Sequence, residues 1–555
     1  MKNKVSITQE STSNKPIQVI ITNPDIQIIE KKDTKTSINE YLLFINGKDI
    51  KTNIVDYSID ADTLIKNPLQ TIKSVSLLKK KLIKESAIAD AIIGKYYLAE
   101  ETHIYAAFDS ARSSYEEFKN YSVEQRALIL KNVKKELINN KDEFISLIIK
   151  EGHPYKLAVW EYENMISGVS NENIQFYIEL LKKEVTINKE KIIFYRKPDG
   201  VILVIPPRNA PASNSFLAIS ALITGNTLVI KPPQKLPIST VFLWRNIVVP
   251  AIIKAGFSPS IINIIQGNSS IILNKALASD KISTIFNFGE SSRCIELGKK
   301  IYEANKKPIL ELSGNDIFTV FPDAKITNEL IDSALECFLG STQICMVPKL
   351  FFVHENIYDE FVEKILLNIQ KVKPGLPSNK DTWLSPVGKV KDYFKYLEDA
   401  QQKGAKVLIG GNLLNYKGEL DKKGMFIQPT VLAITDYKEI STFMLFEKEI
   451  FFPLMPIIKF GSNNQSEDDT NFMIDTINAH KYGLRTSFWT NNKKIISKLV
   501  QNIVNSGTIR INSRHIGISP YLSSHGGTSL SGGAYGEMNY MCLRASHMQG
   551  ISITE

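Results

Sequence analysis

The spacing of apolar positions changes several times along the chain. Around Tyr41 to Lys48, Y-L-L-F-I-N-G-K, two extended runs flank Asn46-Gly47, a dipeptide that predicts a hairpin turn. From about Ala87 to Leu181 apolar residues recur at intervals of three and four, which predicts helices; V-E-Q-R-A-L-I-L-K-N-V-K-K-E-L-I is the clearest. The segment I-I-F-Y-R-K-P-D-G-V-I-L-V-I-P-P predicts strands ending at Pro206, and Thr227–Ile230, Ile261–Ile265 and Thr284–Phe288 are further short apolar runs separated by helical segments. The alternation resumes after Glu311, with strands at Ile317–Phe321 and Leu350–Val353 and helices at Glu329–Leu339 and Ile357–Val372. Strands alternating with helices predict mainly parallel sheets in two α/β domains. Ligands of such sheets bind beyond the carboxyl ends of the strands. Residues 1 to about 40 are polar, with one β-like run at Ile17–Thr22, and read as a peripheral extension.

Composition narrows the class. At 555 residues, with 43% apolar and 23% charged residues, the chain is expected to be a soluble globular protein of two or three domains. The four cysteines, Cys294, Cys337, Cys345 and Cys542, form no C-x-x-C pair, which argues against a disulfide scaffold or a metal site and for a reducing compartment. The N-terminus has no apolar core of a secretory signal, and no apolar run is long enough to span a membrane, so a cytoplasmic location is expected. The net charge of +9 is spread among interleaved acids; its densest run, L-K-K-K-L-I-K at Leu78–Lys84, reads as a solvated face and not as a nucleic-acid site.

Four local features carry candidate chemistry. In I-P-P-R-N-A-P, Ile205 to Pro211, prolines hold Asn209 in a stiff turn at a strand's carboxyl end. Its amide either caps its own turn or points at a developing oxyanion. In G-N-T-L-V-I-K-P-P, Gly225 to Pro233, Lys231 emerges from a buried strand, as a snorkelling surface lysine or as a ligand for a nucleotide's ribose or phosphate. In I-L-E-L-S-G-N, Glu311 ends a strand before a glycine turn, as a salt-bridged carboxylate or as a general base for water. In G-S-T-Q-I-C-M-V-P-K, Cys345 is a core filler or a thiol nucleophile for a carbonyl carbon.

Taken together these motifs resemble the aldehyde dehydrogenase superfamily. P-P-R-N-A-P resembles its P-W-N-x-P, G-N-T-L-V-I-K-P its G-N-T-x-V-x-K-P, E-L-S-G-N its E-L-G-G-K, and T-Q-I-C its G-Q-x-C. E-K-E-I-F-F-P at Glu447–Pro453 resembles E-E-I-F-G-P, and G-T-I-R-I-N at Gly507–Asn512 resembles G-T-V-x-V-N. All six come in the family's order, with Glu311 and Cys345 34 positions apart.

The resemblance implies an α/β fold. A Rossmann-like nucleotide-binding domain would take residues 41–182 and 201–310. An α/β catalytic domain would take 311–518. A small β oligomerisation element would take 183–200 and 519–555, with a hairpin at Glu184–Arg196 and a last strand near Gln549–Thr554. It implies NAD or NADP as cofactor, no metal, an aldehyde substrate, and a homodimer or homotetramer. Cys345 would attack the aldehyde to give a thiohemiacetal whose oxyanion is held by the Asn209 amide and the Cys345 N–H. Hydride transfer to the nicotinamide would leave a thioester, hydrolysed by water that Glu311 activates. Ile205, Pro206, Lys231, Gln234, Gly289, Glu449 and Phe451 would border the cofactor. Lys231 would meet the adenosine ribose, Gly289 the pyrophosphate, and Glu449 the nicotinamide ribose with Phe451 beside it.

Several residues depart from the family pattern. Arg208 replaces a tryptophan, Phe452 a glycine, and Leu217 falls where many members carry a lysine. Glu290 stands where a serine or threonine meets the pyrophosphate, so it must turn away or the register shifts to Ser291 and Ser292. Neutral Gln234 replaces a common acid and admits NADP. His525, in S-H-G-G, replaces an aromatic lid residue and reads as a loop histidine. Residues near Trp160, Tyr162 and Met165, and 513–524, are candidates for the wall of the aldehyde pocket. Two other readings stay open: a member that passes the thioester to coenzyme A, and a non-catalytic protein that keeps the fold for binding.

Overall fold

The computed structural model describes residues 38–461 and 466–554. The expected polar extension, with its run at Ile17–Thr22, lies outside them apart from residues 38–40.

The first of two large sheets has seven strands. Their spatial order is Lys307–Glu311, Thr284–Phe288, Val201–Ile205, Thr227–Ile230, Ile262–Ile264, Leu43–Ile45 and Lys48–Ile50. The first five are parallel and the last two form an antiparallel hairpin. All five residues of Val201–Ile205 are buried, which suits a continuous apolar run covered on both faces. From Val201–Ile205 the chain builds outward through Thr227–Ile230 and Ile262–Ile264, then returns to the other side at Thr284–Phe288. The order therefore reverses between Ile205 and Asn287, which face each other in register. A crevice opens at such a reversal, at the carboxyl ends of the strands.

The second sheet orders Lys406–Ile409, Thr430–Ile434, Leu454–Phe460, Pro348–His354, Asp316–Val320, Arg485–Trp489 and Thr508–Ile511. Only its first pair is antiparallel. A third sheet is antiparallel and joins Lys182–Ile187, Glu190–Pro198 and Ser546–Thr554. It contains the expected hairpin and last strand.

The turn at Asn46-Gly47 takes left-handed backbone at both residues, as an N-G hairpin requires. The helix read in V-E-Q-R-A-L-I-L-K-N spans Val123–Asn139 and starts at Ser122, which forms a capping box with Gln125. Two readings change. Within the stretch expected to be helical, Ile92–Tyr97 is a strand, held between Glu40–Tyr41 and Val55–Ile59. Its residues I-I-G-K-Y-Y are β-branched and aromatic, and a Cβ on Gly94 would lie 2.5 Å from the Tyr41 ring. The helix expected at Glu329–Leu339 is α-helical only over Asn328–Leu335, then tightens and breaks at Leu339.

Candidate active site

The break after Leu339 presents Cys345. Gly340, Ser341 and Thr342 are left-handed in succession, with φ of 60°, 59° and 61°. A β-branched residue there is strained, so the surroundings must hold the turn. Ser341 does so: its hydroxyl donates to the Ser385 carbonyl at 2.6 Å and accepts from the Ser385 N–H at 2.9 Å. Gly314 closes the other side. A Cβ on it would sit 2.4 Å from the Cys345 carbonyl oxygen, so only glycine lets these two segments meet.

Cys345 borders a cavity of about 80 Å³, together with Asn209, Asn164, Asn214, His525 and Asn539. The Asn209 amide donates to the Gln343 carbonyl at 2.9 Å, two residues before Cys345. An amide nitrogen carries two protons, so a second donor remains. The other three cysteines are buried; Cys345 is half-buried. Thiol nucleophiles are often activated by a lowered pKa, and Cys345 is not. Burial pushes the thiol up to about 12, and Glu449, Glu311 and Asp316 add to the rise against the opposing Lys349. Ionisation would add a negative charge beside three carboxylates, so the thiol stays protonated at rest.

Glu311 is fixed by two donors. The Asn539 amide donates to Oε1, and the Gly526 N–H donates to Oε2 at 3.2 Å. Burial lifts its carboxyl to about 7 although these bonds oppose the rise. Behind the cysteine, Lys349 is fully buried and donates to Glu449 at 2.9 Å and to the Gly314 carbonyl at 2.7 Å. The Gly314 N–H also donates to Glu449, at 3.1 Å. Phe451 lies under the Lys349 ammonium at 5.5 Å.

The second group of expected residues gathers at the reversal in the first sheet. Ile205 and Pro206 end the central strand, and Lys231 ends its neighbour. Lys231 is 1% exposed, and its ammonium donates to the Ser269 hydroxyl. Burial, helped by Arg208, lowers it to about 8. Among the described residues no carboxylate pairs with it. A buried ammonium lacking a counter-charge, at a strand end beside a crevice, fits a nucleotide's ribose hydroxyls. Gln234 is half-buried next to it, its carbonyl accepting from Tyr96 at 2.6 Å. Gly289 packs so that a Cβ would lie 2.6 Å from Cys294 Sγ.

Glu290 turns back on its own helix, Ser291–Glu303, and accepts from the N–H groups of Ser292 and Arg293, both at 3.1 Å. Desolvation works against its ionisation, but these bonds win and hold the carboxyl below its ordinary value. The two serines that could replace it are engaged as well: Ser291 donates to the Leu530 carbonyl and Ser292 to Glu290.

Three further readings need correction. His525 is 5% exposed and lines the cavity, and burial keeps it neutral, with its pKa down at about 3. It does sit in a loop, but its side chain is buried in the cavity wall. Tyr162 faces the core, donating to the Leu137 carbonyl at 3.3 Å, whereas Trp160 and Met165 line the cavity. Of 513–524 only Leu522 to Ser524 reach the wall. Arg514 pairs with Glu336, and His515 packs between Ser487 at 2.6 Å and Asp316 at 3.2 Å. Phe452 fills the core against Tyr393 and Tyr396, at ring distances of 5.6 and 5.0 Å.

Residues 78–549 match the aldehyde dehydrogenase family. The chain belongs to that family. Aldehyde dehydrogenases oxidise aldehydes to carboxylic acids with NAD or NADP, and this chain is an enzyme of that class. It is 29% identical to a D-glyceraldehyde dehydrogenase (NADP⁺) of Picrophilus torridus over 74% of this chain and 81% of the relative. It is 26% identical to 1-pyrroline-5-carboxylate dehydrogenase 2 of Bacillus subtilis, over 94% and 95%. A glyceraldehyde-3-phosphate dehydrogenase of Methanocaldococcus jannaschii, solved with NADP, superposes with a TM-score of 0.69 at 26% identity, covering 84% of this chain and 97% of that one. Among the described residues of this aldehyde dehydrogenase no helix is long and apolar enough to cross a membrane.

Proposed function

We propose that Cys345 is the nucleophile, Asn209 the oxyanion donor and Glu311 the general base of a hydrolytic aldehyde dehydrogenase. The observation that carries this reading is Glu311, buried, doubly anchored and matched to neutral pH in a wall shared with Cys345 through Asn539. The protonated thiol gives up its proton as Sγ bonds to the aldehyde carbon, and Glu311 is the acceptor whose pKa suits that transfer. The free Asn209 proton and the Cys345 N–H then stabilise the oxyanion, a donor of this kind contributing about 3 kcal/mol to the barrier. Bound NAD or NADP supplies the hydride acceptor. Glu311 releases the thiol's proton to solvent and, ionised again, takes a proton from water as the water oxygen attacks the thioester. The C–S bond breaks, and a carboxylic acid leaves with the thiol restored.

Ile205, Pro206, Lys231, Gln234, Gly289, Glu449 and Phe451 would hold the dinucleotide. Lys231 would take the adenosine ribose, with Arg208 adding positive charge at the same mouth. Residues 41–182 with 201–310 would form the nucleotide-binding domain and 311–518 the catalytic domain. The third sheet supports a homo-oligomer, since Ile187, Phe194, Met548 and Ile553 are exposed on its strands. Product analysis tests the reaction. Free acid formed one-for-one with reduced coenzyme, without coenzyme A, supports hydrolysis; acyl-coenzyme A formed in place of free acid would assign the thioester to acyl transfer.

A further inference from the structure

The polar groups in the wall of the cavity beside Cys345 are mostly amides and hydroxyls, joined by the His525 imidazole and the Glu161 carboxylate. Asn214, on the helix Pro211–Phe216, is 5% exposed, and its side-chain amide bonds to no described protein group. Asn164, on the helix Tyr155–Gly168, also lines the cavity with its amide unbonded among the described residues. Asn539 spends its amide nitrogen on Glu311, but its Oδ1 is buried without a partner. Buried polar groups in folded proteins are paired, so the unspent Asn214 amide and the Asn539 Oδ1, with the half-buried Asn164 amide beside the same space, call for a ligand that pairs with them.

No lysine or arginine lines this cavity among the described residues. Its one carboxylate, Glu161, is already engaged by His153 and by the Ser213 hydroxyl at 2.6 Å. A net charge on the substrate would therefore be desolvated without a counter-charge. An amide both donates and accepts, and so does a hydroxyl; a carboxylate only accepts. The narrow space of about 80 Å³ favours a short chain.

We infer that the substrate is a short, uncharged hydroxyaldehyde, and that Asn164 and Asn214 recognise its hydroxyl groups. The inference rests on the aldehyde dehydrogenase reading of the site and adds the substrate's chemistry. A hydrogen-bonding pocket rejects an analogue that lacks the hydroxyl, because its own polar groups are then left unpaired.

The test compares kcat/KM for glyceraldehyde, for propanal, which has the same carbon skeleton without hydroxyls, and for succinic semialdehyde, which carries an anion. The full chain is used with whichever coenzyme it reduces. Glyceraldehyde is expected to lead both by about tenfold or more. Asn214→Leu and Asn164→Leu should each reduce the glyceraldehyde-to-propanal ratio about tenfold, an internal ratio that partial misfolding does not move. Propanal or succinic semialdehyde matching or exceeding glyceraldehyde would overturn the inference while leaving the enzyme reading intact. Oxidation of another aldehyde but of none of these three would overturn the inference alone, and failure to reduce coenzyme with any aldehyde would overturn both.

Discussion

Asn539 holds Glu311 by one carboxylate oxygen while the Gly526 N–H holds the other. Both bonds favour the ionised form, and burial favours the neutral one. The balance leaves the carboxyl near pH 7, within reach of both of its protonation states at neutral pH.

That balance predicts the pH profile. Glu311 works as a base only when ionised, so thioester hydrolysis should rise with pH and level off above about 7. Asn539→Ala removes a donor to the anion, so the limb should move to higher pH, by about one unit. Arg544, which favours the anion, and Cys345, which faces the same carboxylate, stay in place in this variant. Single-turnover acid release measured from pH 5 to 9, as about one point per half unit, checks it; an unmoved limb would show that Asn539 does not set the Glu311 equilibrium.

Thiol labelling should follow the raised Cys345 pKa. Alkylation needs the thiolate, so the rate at Cys345 should be slow at neutral pH and climb about tenfold per unit towards pH 10. Cys294, Cys337 and Cys542 are buried and should label later. Iodoacetamide followed by peptide mass analysis reads both the order and the slope. A fast, pH-independent reaction at Cys345 would place its thiol far below about 12 in solution.

Lys349 and Glu449 form a pair whose lysine side is wholly enclosed. Lys349→Met strands the Glu449 carboxylate and should lower unfolding free energy by about 3 kcal/mol. It also removes a cation that eases Cys345 ionisation, so labelling of Cys345 should slow further. Urea denaturation and alkylation of the same variant check the two effects separately.

Coenzyme binding should respond in opposite directions at two positions. Lys231→Met removes the buried ammonium from the crevice and should weaken NAD or NADP about tenfold or more. Glu290→Ala frees the N–H groups of Ser292 and Arg293 and removes a negative charge from the helix start. Binding should then tighten by about fivefold. Calorimetric titration, which needs no turnover, measures both.

The sequence pattern reached the parallel strands because their buried runs are continuous: Thr227–Ile230 and Thr284–Phe288 have the residues read from the chain. It missed Ile92–Tyr97, a short strand without flanking turn signals whose neighbours Glu40–Tyr41 and Val55–Ile59 come from elsewhere in the chain. Motifs located Cys345, Glu311, Asn209 and Lys231, since each ends a strand or turn marked by proline or glycine. They could not supply the setting. The carboxylates that raise the Cys345 pKa come from two distant stretches, 311–316 and 449, and Glu311 meets Asn539 only through folding, 228 positions away. Asn164 and Asn214 sit on helices whose spacing shows a face but not what that face looks into. His525 was legible as a departure from a pattern, whereas its burial was not.

In the proposed reaction Cys345 attacks the aldehyde. The most direct measurement is reduced-nicotinamide absorbance on mixing the protein with glyceraldehyde and NAD⁺ or NADP⁺, beside Cys345→Ala with its coenzyme binding verified. Reduction by the wild type that vanishes in a variant still binding coenzyme is the predicted result. Undiminished reduction by Cys345→Ala would contradict it.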